Sequence, residues 1–455
     1  MSLDTFLQAD QIKTDSESLQ YYGKDWTTYF DIKAKAIVFP RSTEDVVHLV
    51  QWARKNKIAL IPSGGRTGLS GAAVATQGEV VVSFEQMNKI LDFDPINQTV
   101  RVQAGVVTED LQKFAQEKGL LYPVDFAARG SSQMGGNIAT NAGGIKVVRY
   151  GLTRQWVAGL QVVTGQGELL NLNNGLVKNA TGYDLRHLII GSEGTLGLVT
   201  EALIQLSPPA PEVKVLLLAV NDLSSIMNIF SEFKKKTSVV AFEMFSALAL
   251  KHVLHGTGLP APLETSSEYY VVCEVECKNE SDEGQILSVF ESGLEQGFIL
   301  DGVLSQSETQ AKTLWRYRED ISESLASYSP YKNDIAVTIS KVPDFLNDLQ
   351  KVLTAAYPTW EVVWFGHIGD GNLHINILRP TGMSKEQFVK DCRAVDELVF
   401  SAVRKYQGSI SAEHGVGLTK KSFLTYTRSE PEVELMRQIK KVFDPDQILN
   451  PGKIF

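Results

Sequence analysis

Three widely separated glycine clusters constrain this 455-residue chain more than any other feature of its sequence. Residues 62–72 read Pro-Ser-Gly-Gly-Arg-Thr-Gly-Leu-Ser-Gly-Ala, with four glycines from Gly64 to Gly71. Residues 130–144 form a longer neutral stretch of glycines, small side chains and amides, and residues 191–199 a third cluster that runs into an apolar segment. Glycine lets a backbone approach a ligand closely, and clustered backbone N–H groups serve as phosphate donors. Neither the Gly-Lys-Ser/Thr ending of a nucleotide-triphosphate loop nor the Gly-x-Gly-x-x-Gly dinucleotide fingerprint occurs. Three separated clusters point instead to one extended cofactor laid across a domain.

The segments around the clusters read as a βαβ start. A strand at 36–40 is followed by a helix opened by Ser42, with Glu44 and Asp45 in its first turn and Val46, Val47, Val50, Trp52 and Ala53 on its buried face, then by a strand at 58–61. Strands at 79–84 and 99–102 come next, then a helix over 108–118 closed by Gly119, and a hairpin of 157–164 with 168–172. The Pro-Pro-Ala-Pro run at 208–211 marks a domain break. Beyond it, strands at 213–220, 239–244 and 269–276 mix with helices over 223–236, 282–296 and 343–357, an order that predicts an antiparallel sheet with helices on one face.

Histidine is rare here, with seven in the chain, so its placement carries information. His367 and His374 flank a Gly-Asp-Gly-Asn turn, and alternation over 374–377 puts His374 and Asn376 on one strand face. Residues 411–417 add Glu413 and His414 between small residues. Two histidines and a glutamate make a divalent-metal site with open coordination positions, although a histidine is more often an ordinary hydrogen-bonded residue than a ligand. Such a set could also activate water, so a metallohydrolase is the rival reading from another class. In an extended segment the side chains of Glu413 and His414 would point to opposite sides, one toward metal and the other toward substrate. A formal net charge of -9 leaves no electrostatic footprint for nucleic acid or anionic lipid. Three scattered cysteines are too few for a disulfide framework or an iron–sulfur cluster. Residues 1–29 lack secretory or import character, and no apolar run is long enough to span a bilayer, so a cytoplasmic protein without a transmembrane segment is expected.

Residues 36–206 resemble the flavin-binding half of the vanillyl-alcohol oxidase/p-cresol methylhydroxylase superfamily. The resemblance implies an α+β protein: a two-subdomain PCMH-type FAD-binding domain over 1–208, a substrate domain over 209–425 with an antiparallel sheet covered by helices and a metal site, and a tail over 426–455 returning to the FAD domain. It implies FAD contacts at Pro62, Ser63, Gly64, Gly65, Arg66, Thr67, Gly68 and Leu69, at Ser131, Ser132, Gly135, Gly136, Asn137, Thr140 and Gly144, at Gly191, Gly194, Gly197 and Val199, and at Asn450 in the tail. Some relatives tether flavin to a histidine in the first loop; Arg66 and Thr67 stand here instead, which implies non-covalent FAD.

Residues 367–374, 411–417 and 450–453 resemble the D-2-hydroxyacid dehydrogenase branch of that superfamily, which holds D-lactate dehydrogenases, glycolate oxidase subunits and D-2-hydroxyglutarate dehydrogenases. Similarity over the full length is strongest to the D-2-hydroxyglutarate members. The match assigns metal ligation to His367, His374 and Glu413, the catalytic base to His414, and substrate contacts to Arg318, Ser322, Lys332 and Asn376, with Ser322 replacing a threonine but keeping its hydroxyl. By composition alone Arg318 would sit in a surface salt bridge; the resemblance reverses that. Zinc is the expected metal, with manganese as the alternative. Oxidation of D-2-hydroxyglutarate to 2-oxoglutarate is the expected reaction, because Arg318 and Lys332 supply cations for a second carboxylate. D-lactate or glycolate oxidation is the runner-up. Without a nicotinamide fingerprint, electrons should pass to an electron-transfer flavoprotein or a quinone-linked acceptor; a homodimer is left open.

Overall fold

The computed structural model describes residues 3–27 and 29–455. The chain divides into two compact units, the first made of Met1–Gly143, Gly151–Pro209 and Glu413–Phe455, the second of Gly144–Tyr150 and Ala210–Ala412. The crossing between Pro209 and Ala210 thus falls inside the proline run. The last crossing falls at Ala412/Glu413 rather than at 425/426.

The first unit holds two sheets. One combines β1 (Ile12–Lys13), β2 (Ala36–Val38), β3 (Leu60–Ser63) and β4 (Val80–Ser83) in the order β1-β2-β4-β3. Strands β2, β4 and β3 run parallel, as a βαβ crossover requires. The helix between β2 and β3 is Thr43–Asn56; the Ser42 hydroxyl accepts from the Asp45 N–H at 3.1 Å, and Val46, Leu49, Val50, Trp52 and Ala53 are its apolar buried face. The other sheet is antiparallel, with β5 (Ile90–Asp94), β6 (Thr99–Gln103), β7 (Val157–Thr164), β8 (Leu169–Leu172) and β9 (Gly197–Gln205) in the order β5-β6-β9-β7-β8. The expected hairpin is β7 and β8.

The tail returns to this unit. The N–H of Leu60 donates to Ile448 O at 2.7 Å and the N–H of Asn450 to Leu60 O at 2.8 Å, so the tail lies parallel beside β3. Lys440, on the helix Glu430–Phe443, is buried and donates its Nζ to Thr195 O, Leu449 O and the Asp444 carboxylate at 2.8–2.9 Å. Burial lowers the pKa of Lys440, and the Asp444 carboxylate opposes that. Removing one partner of a buried ion pair costs about 3–5 kcal/mol. Lys440→Ala is therefore expected to lower the denaturation midpoint by an amount of that order. A loss below about 1 kcal/mol, as for an exposed pair, would show that water reaches Asp444 in the variant.

The second unit is one seven-stranded sheet of β10 (Val213–Val220), β11 (Val239–Ser246), β12 (Tyr269–Glu276), β13 (Ile299–Leu304), β14 (Tyr331–Ala336), β15 (Val362–Gly366) and β16 (Asn372–Ile377). Its order is β13-β10-β12-β11-β15-β16-β14, and every pairing is antiparallel. Helices cover both faces rather than one. Phe245 stacks on Tyr270 in a core shared with the helices Ala247–Thr257 and Glu308–Glu319. Phe242, of opposite parity on β11, meets Phe230 of the helix Leu223–Lys236 on the other side. Buried residues on nearly every position of β10, β11 and β12 are the sequence-level reason: a strand apolar on both faces needs two covers. Among the described residues no helix is long and apolar enough to cross a membrane.

Candidate functional site

The three glycine clusters converge on one cleft in the first unit. Pro62, Ser63, Gly64, Gly65, Arg66, Thr67 and Gly68 line it from the first cluster, Gly135, Gly136, Asn137 and Thr140 from the second, and Gly194, Gly197 and Val199 from the third, with Asn450 from the tail. The second cluster is not a plain loop, since residues Met134–Thr140 form a short helix within it. Of the other expected contacts, Leu69, Ser131, Ser132 and Gly191 lie outside the lining, and Gly144 belongs to the second unit. Ser132 is engaged with Thr108, their hydroxyls 2.7 Å apart. Loop packing explains one glycine directly: a Cβ on Gly65 would stand 2.0 Å from Ser131 O.

The cleft fits a polar dinucleotide such as FAD on its own features. Ser63 Oγ, Ser70 Oγ, Gln133 Oε1, Ser192 Oγ and Asn450 Oδ1 are buried in its lining and have no hydrogen-bond partner among the described residues. A buried polar atom without a partner costs about 1–3 kcal/mol, so five on one cavity wall mark a surface built for a ligand. Apolar Phe84, Ala104, Ile189 and Leu198 complete the lining, as a flat aromatic ring system requires.

His414 also lines this cleft. It sits on a strap that runs as bends rather than as a strand, so the expected divergence from Glu413 does not occur: His414 Nε2 lies 3.6 Å from Glu413 Oε1. The strap is held by a residue the sequence reading did not single out. Glu193 accepts the N–H groups of Val416 and Gly417 at 2.7 and 2.9 Å. Burial pushes the Glu193 carboxyl up to about 6, against the opposing pull of those two N–H groups and of Lys420 and Lys453.

In the second unit, β14, β15 and β16 present a polar cluster on one sheet face. Directly opposed residues share a face, which groups Asp334 with His374, Lys332 with Asn376, and Phe365 with His374. His367 follows β15, and the turn back to β16 closes through Gly371, whose φ of 88° and approach to Val337 O, 2.1 Å from a built Cβ, admit only glycine. The His367 and His374 rings lie 5.2 Å apart. His367 Nδ1 is 2.8 Å from Glu243 Oε1, and the other oxygen of Glu243 is ion-paired with Arg318 Nη2 at 2.8 Å. An imidazole with Nδ1 on a carboxylate has the arrangement by which an outer carboxylate orients a histidine to bind a metal through Nε2. Asp334 Oδ1 lies 3.8 Å from His374 Nδ1, and its Oδ2 accepts the N–H of Ala412, the residue before Glu413. Glu243 carries no sequence signal, since it is an isolated acid within an apolar strand, and Asp334 carries none because it follows two polar residues in a strand that reads as ordinary surface.

The expected substrate contacts fare differently from one another. Arg318 is buried, with its guanidinium 4.8 Å from the centre of the Phe365 ring, and its Nε has no partner. Asn376 is buried with Oδ1 unpartnered. Lys332 is desolvated, which lowers its pKa, and no carboxylate among the described residues offsets the effect. Ser322 is exposed on the short helix Ile321–Ser324.

Comparison with known proteins agrees with both halves. The FAD binding domain family matches residues 34–173, and the C-terminal domain of FAD linked oxidases matches residues 210–454. A D-2-hydroxyglutarate dehydrogenase of Stutzerimonas stutzeri is 55% identical over 100% of this chain and 98% of its own length. The mitochondrial D-2-hydroxyglutarate dehydrogenase of Arabidopsis thaliana is 36% identical over 97% of this chain and 78% of its own. A putative mitochondrial D-lactate dehydrogenase of Schizosaccharomyces pombe is also 36% identical, over 97% of this chain and 85% of its own. Among solved structures, substrate-bound p-cresol methylhydroxylase superposes with a TM-score of 0.75 over 99% of this chain and 95% of its own at 16% identity, a likeness of fold alone.

Proposed function

The chain belongs to the FAD-linked oxidase family, and from that premise we propose that it oxidises D-2-hydroxyglutarate to 2-oxoglutarate with FAD and a divalent metal. The observation that carries the choice of a diacid is a pair of desolvated cations in the second unit: Lys332, whose burial no carboxylate among the described residues offsets, and Arg318, which is ion-paired with Glu243 through Nη2 but keeps Nε unpartnered. A desolvated cation without an anion is disfavoured, and the distal carboxylate of a diacid would supply one to Lys332 while accepting from the remaining N–H groups of Arg318.

FAD supplies the hydride acceptor, bound by the glycine-lined cleft. We assign His367, His374 and Glu413 as the residues that would hold a divalent metal, zinc being the first choice and manganese the second; such an ion would supply Lewis-acid activation of the substrate hydroxyl. Asp334 balances charge beside His374, and Glu243 keeps His367 in the orientation that exposes Nε2. His414 takes the hydroxyl proton, a task for which imidazole is suited near neutral pH. Arg318 clamps a carboxylate through its planar fork, Lys332 supplies a point charge, and the Asn376 side-chain amide can donate an N–H to a substrate carboxylate. Ser322, exposed as it stands, serves only at the rim of such a site. Electrons then leave to an electron-transfer flavoprotein or quinone-linked acceptor, and the compartment is the cytoplasm.

The test is flavin reduction under anaerobic conditions with D-2-hydroxyglutarate, D-malate and D-lactate and their L forms. Loss of one charge-assisted contact costs about 1.5–3 kcal/mol, so D-lactate should show a kcat/KM roughly ten- to a hundredfold below D-2-hydroxyglutarate, with D-malate between. Arg318→Ala should erode that preference more than it lowers the rate on D-lactate. Equal kcat/KM for D-lactate and D-2-hydroxyglutarate would transfer the assignment to D-lactate dehydrogenase. With Arg66 and Thr67 in the first loop, the flavin is proposed to be non-covalent, and acid precipitation should leave the yellow colour in the supernatant; colour in the pellet refutes it.

A further inference from the structure

Glu193 is a carboxylate that the chemistry above does not use. It is 5% exposed, and it spans from the third glycine cluster to the strap that carries His414. Its two oxygens take one strap N–H each, from Val416 and Gly417. Its own carbonyl accepts Asn450 Nδ2 at 2.7 Å, and the same Nδ2 reaches Ala72 O at 3.0 Å. The strap continues against the first cluster, where Leu418 and Thr419 donate their N–H groups to Ser70 O at 2.9 and 3.0 Å. The segment following His414 is therefore pinned by the loops that line the flavin cleft. Hydrogen bonds to an ionised acceptor are roughly twice as strong as neutral ones. A glutamine of the same shape would turn an NH2 toward one of the two strap N–H groups and leave that donor unpaired.

We propose that Glu193 is a positioning residue for proton removal: it sets the place of His414 at the cleft and ties that place to the third flavin-side loop. The proposal deepens the reading of His414 as the base and rests on it. Glu193 touches neither the proton nor the metal ligands; it acts through the backbone of the strap.

The experiment uses FAD-loaded Glu193→Gln and Glu193→Asp proteins with D-2-hydroxyglutarate, and follows flavin absorbance in anaerobic stopped flow. The limiting reduction rate of Glu193→Gln should fall about ten- to a hundredfold, the scale of a misplacement on the order of 1 Å, with half-saturation changed less than about threefold. Reduction by dithionite should match wild type, which places the flavin undisturbed. Glu193→Asp, with both acceptor oxygens kept, should recover part of the rate. A wild-type limiting rate per bound flavin in Glu193→Gln overturns the proposal, as does a loss that follows flavin content alone. Should Glu193→Gln not fold, Gly415→Ala perturbs the strap from the other side, since its φ is 81° and its Cβ would lie 2.9 Å from Glu193 Oε1. It should slow reduction in the same way, and an unchanged rate is refutation. A wild-type flavin that no D-2-hydroxy acid reduces would sink the proposed function instead, before either variant is compared.

Discussion

His414→Ala is expected to slow flavin reduction by D-2-hydroxyglutarate by about two to four orders of magnitude, the usual range for loss of a general base. His414 lines the flavin cleft and lies on a strap fastened at Glu193 and Ser70, so the side chain can be truncated without loosening the backbone that carries it. Substrate affinity, read from the concentration dependence of the reduction rate, should change much less than the rate itself. The flavin spectrum should stay that of the wild type. A reduction rate within about threefold of wild type would assign the base elsewhere, because proton removal could not then depend on this imidazole. Asp334 would be the next residue to test, since its carboxylate stands beside His374 in the second unit.

Removal of divalent metal is expected to have an effect of similar size. Elemental analysis of the purified protein should find about one zinc or manganese ion per chain, and exhaustive chelation should abolish most turnover while leaving FAD bound. Either metal should restore the rate. His367→Ala and His374→Ala should each lower metal content and turnover together. Glu243→Gln is the more discriminating variant, because it leaves both histidines in place and removes the carboxylate that faces His367 Nδ1. Loss of such an outer partner typically costs 10–100-fold in metal affinity or activity, so metal content after dialysis should fall by roughly that factor. It also strips Arg318 of its partner at 2.8 Å, so substrate affinity should shift as well. Full turnover in protein shown to be metal-free would end the metal assignment.

Much of the fold was legible locally. The Ser42 cap, the buried stripe of the helix it opens, the hairpin of β7 and β8 and the proline break at 208–211 follow from neighbours within a few positions, where sequence distance and spatial distance are nearly the same. The glycine clusters were legible as places of close backbone approach because the absence of a side chain is a property of the residue itself, as the packing of Gly65 against Ser131 shows. Two helix faces instead of one were missed, since apolar residues on both sides of β10, β11 and β12 state that the strands are buried without saying what buries them.

The sequence by itself determined the elements, their caps and breaks, the glycine-rich character of the cofactor cleft and the rare histidines; the roles of those histidines came from family resemblance. Tertiary structure alone decided the partners. Glu243 faces His367 across 124 positions, and Glu193 holds Val416 across 223. Arg318, which composition places in a surface salt bridge, is instead buried on Glu243 and Phe365. Glu413 and His414 converge because the chain bends where an extended segment was expected. Charge pairing and desolvation act over a few ångströms of space and are indifferent to chain separation, so an isolated acid in an apolar strand stays unreadable until the fold sets a histidine or an arginine beside it.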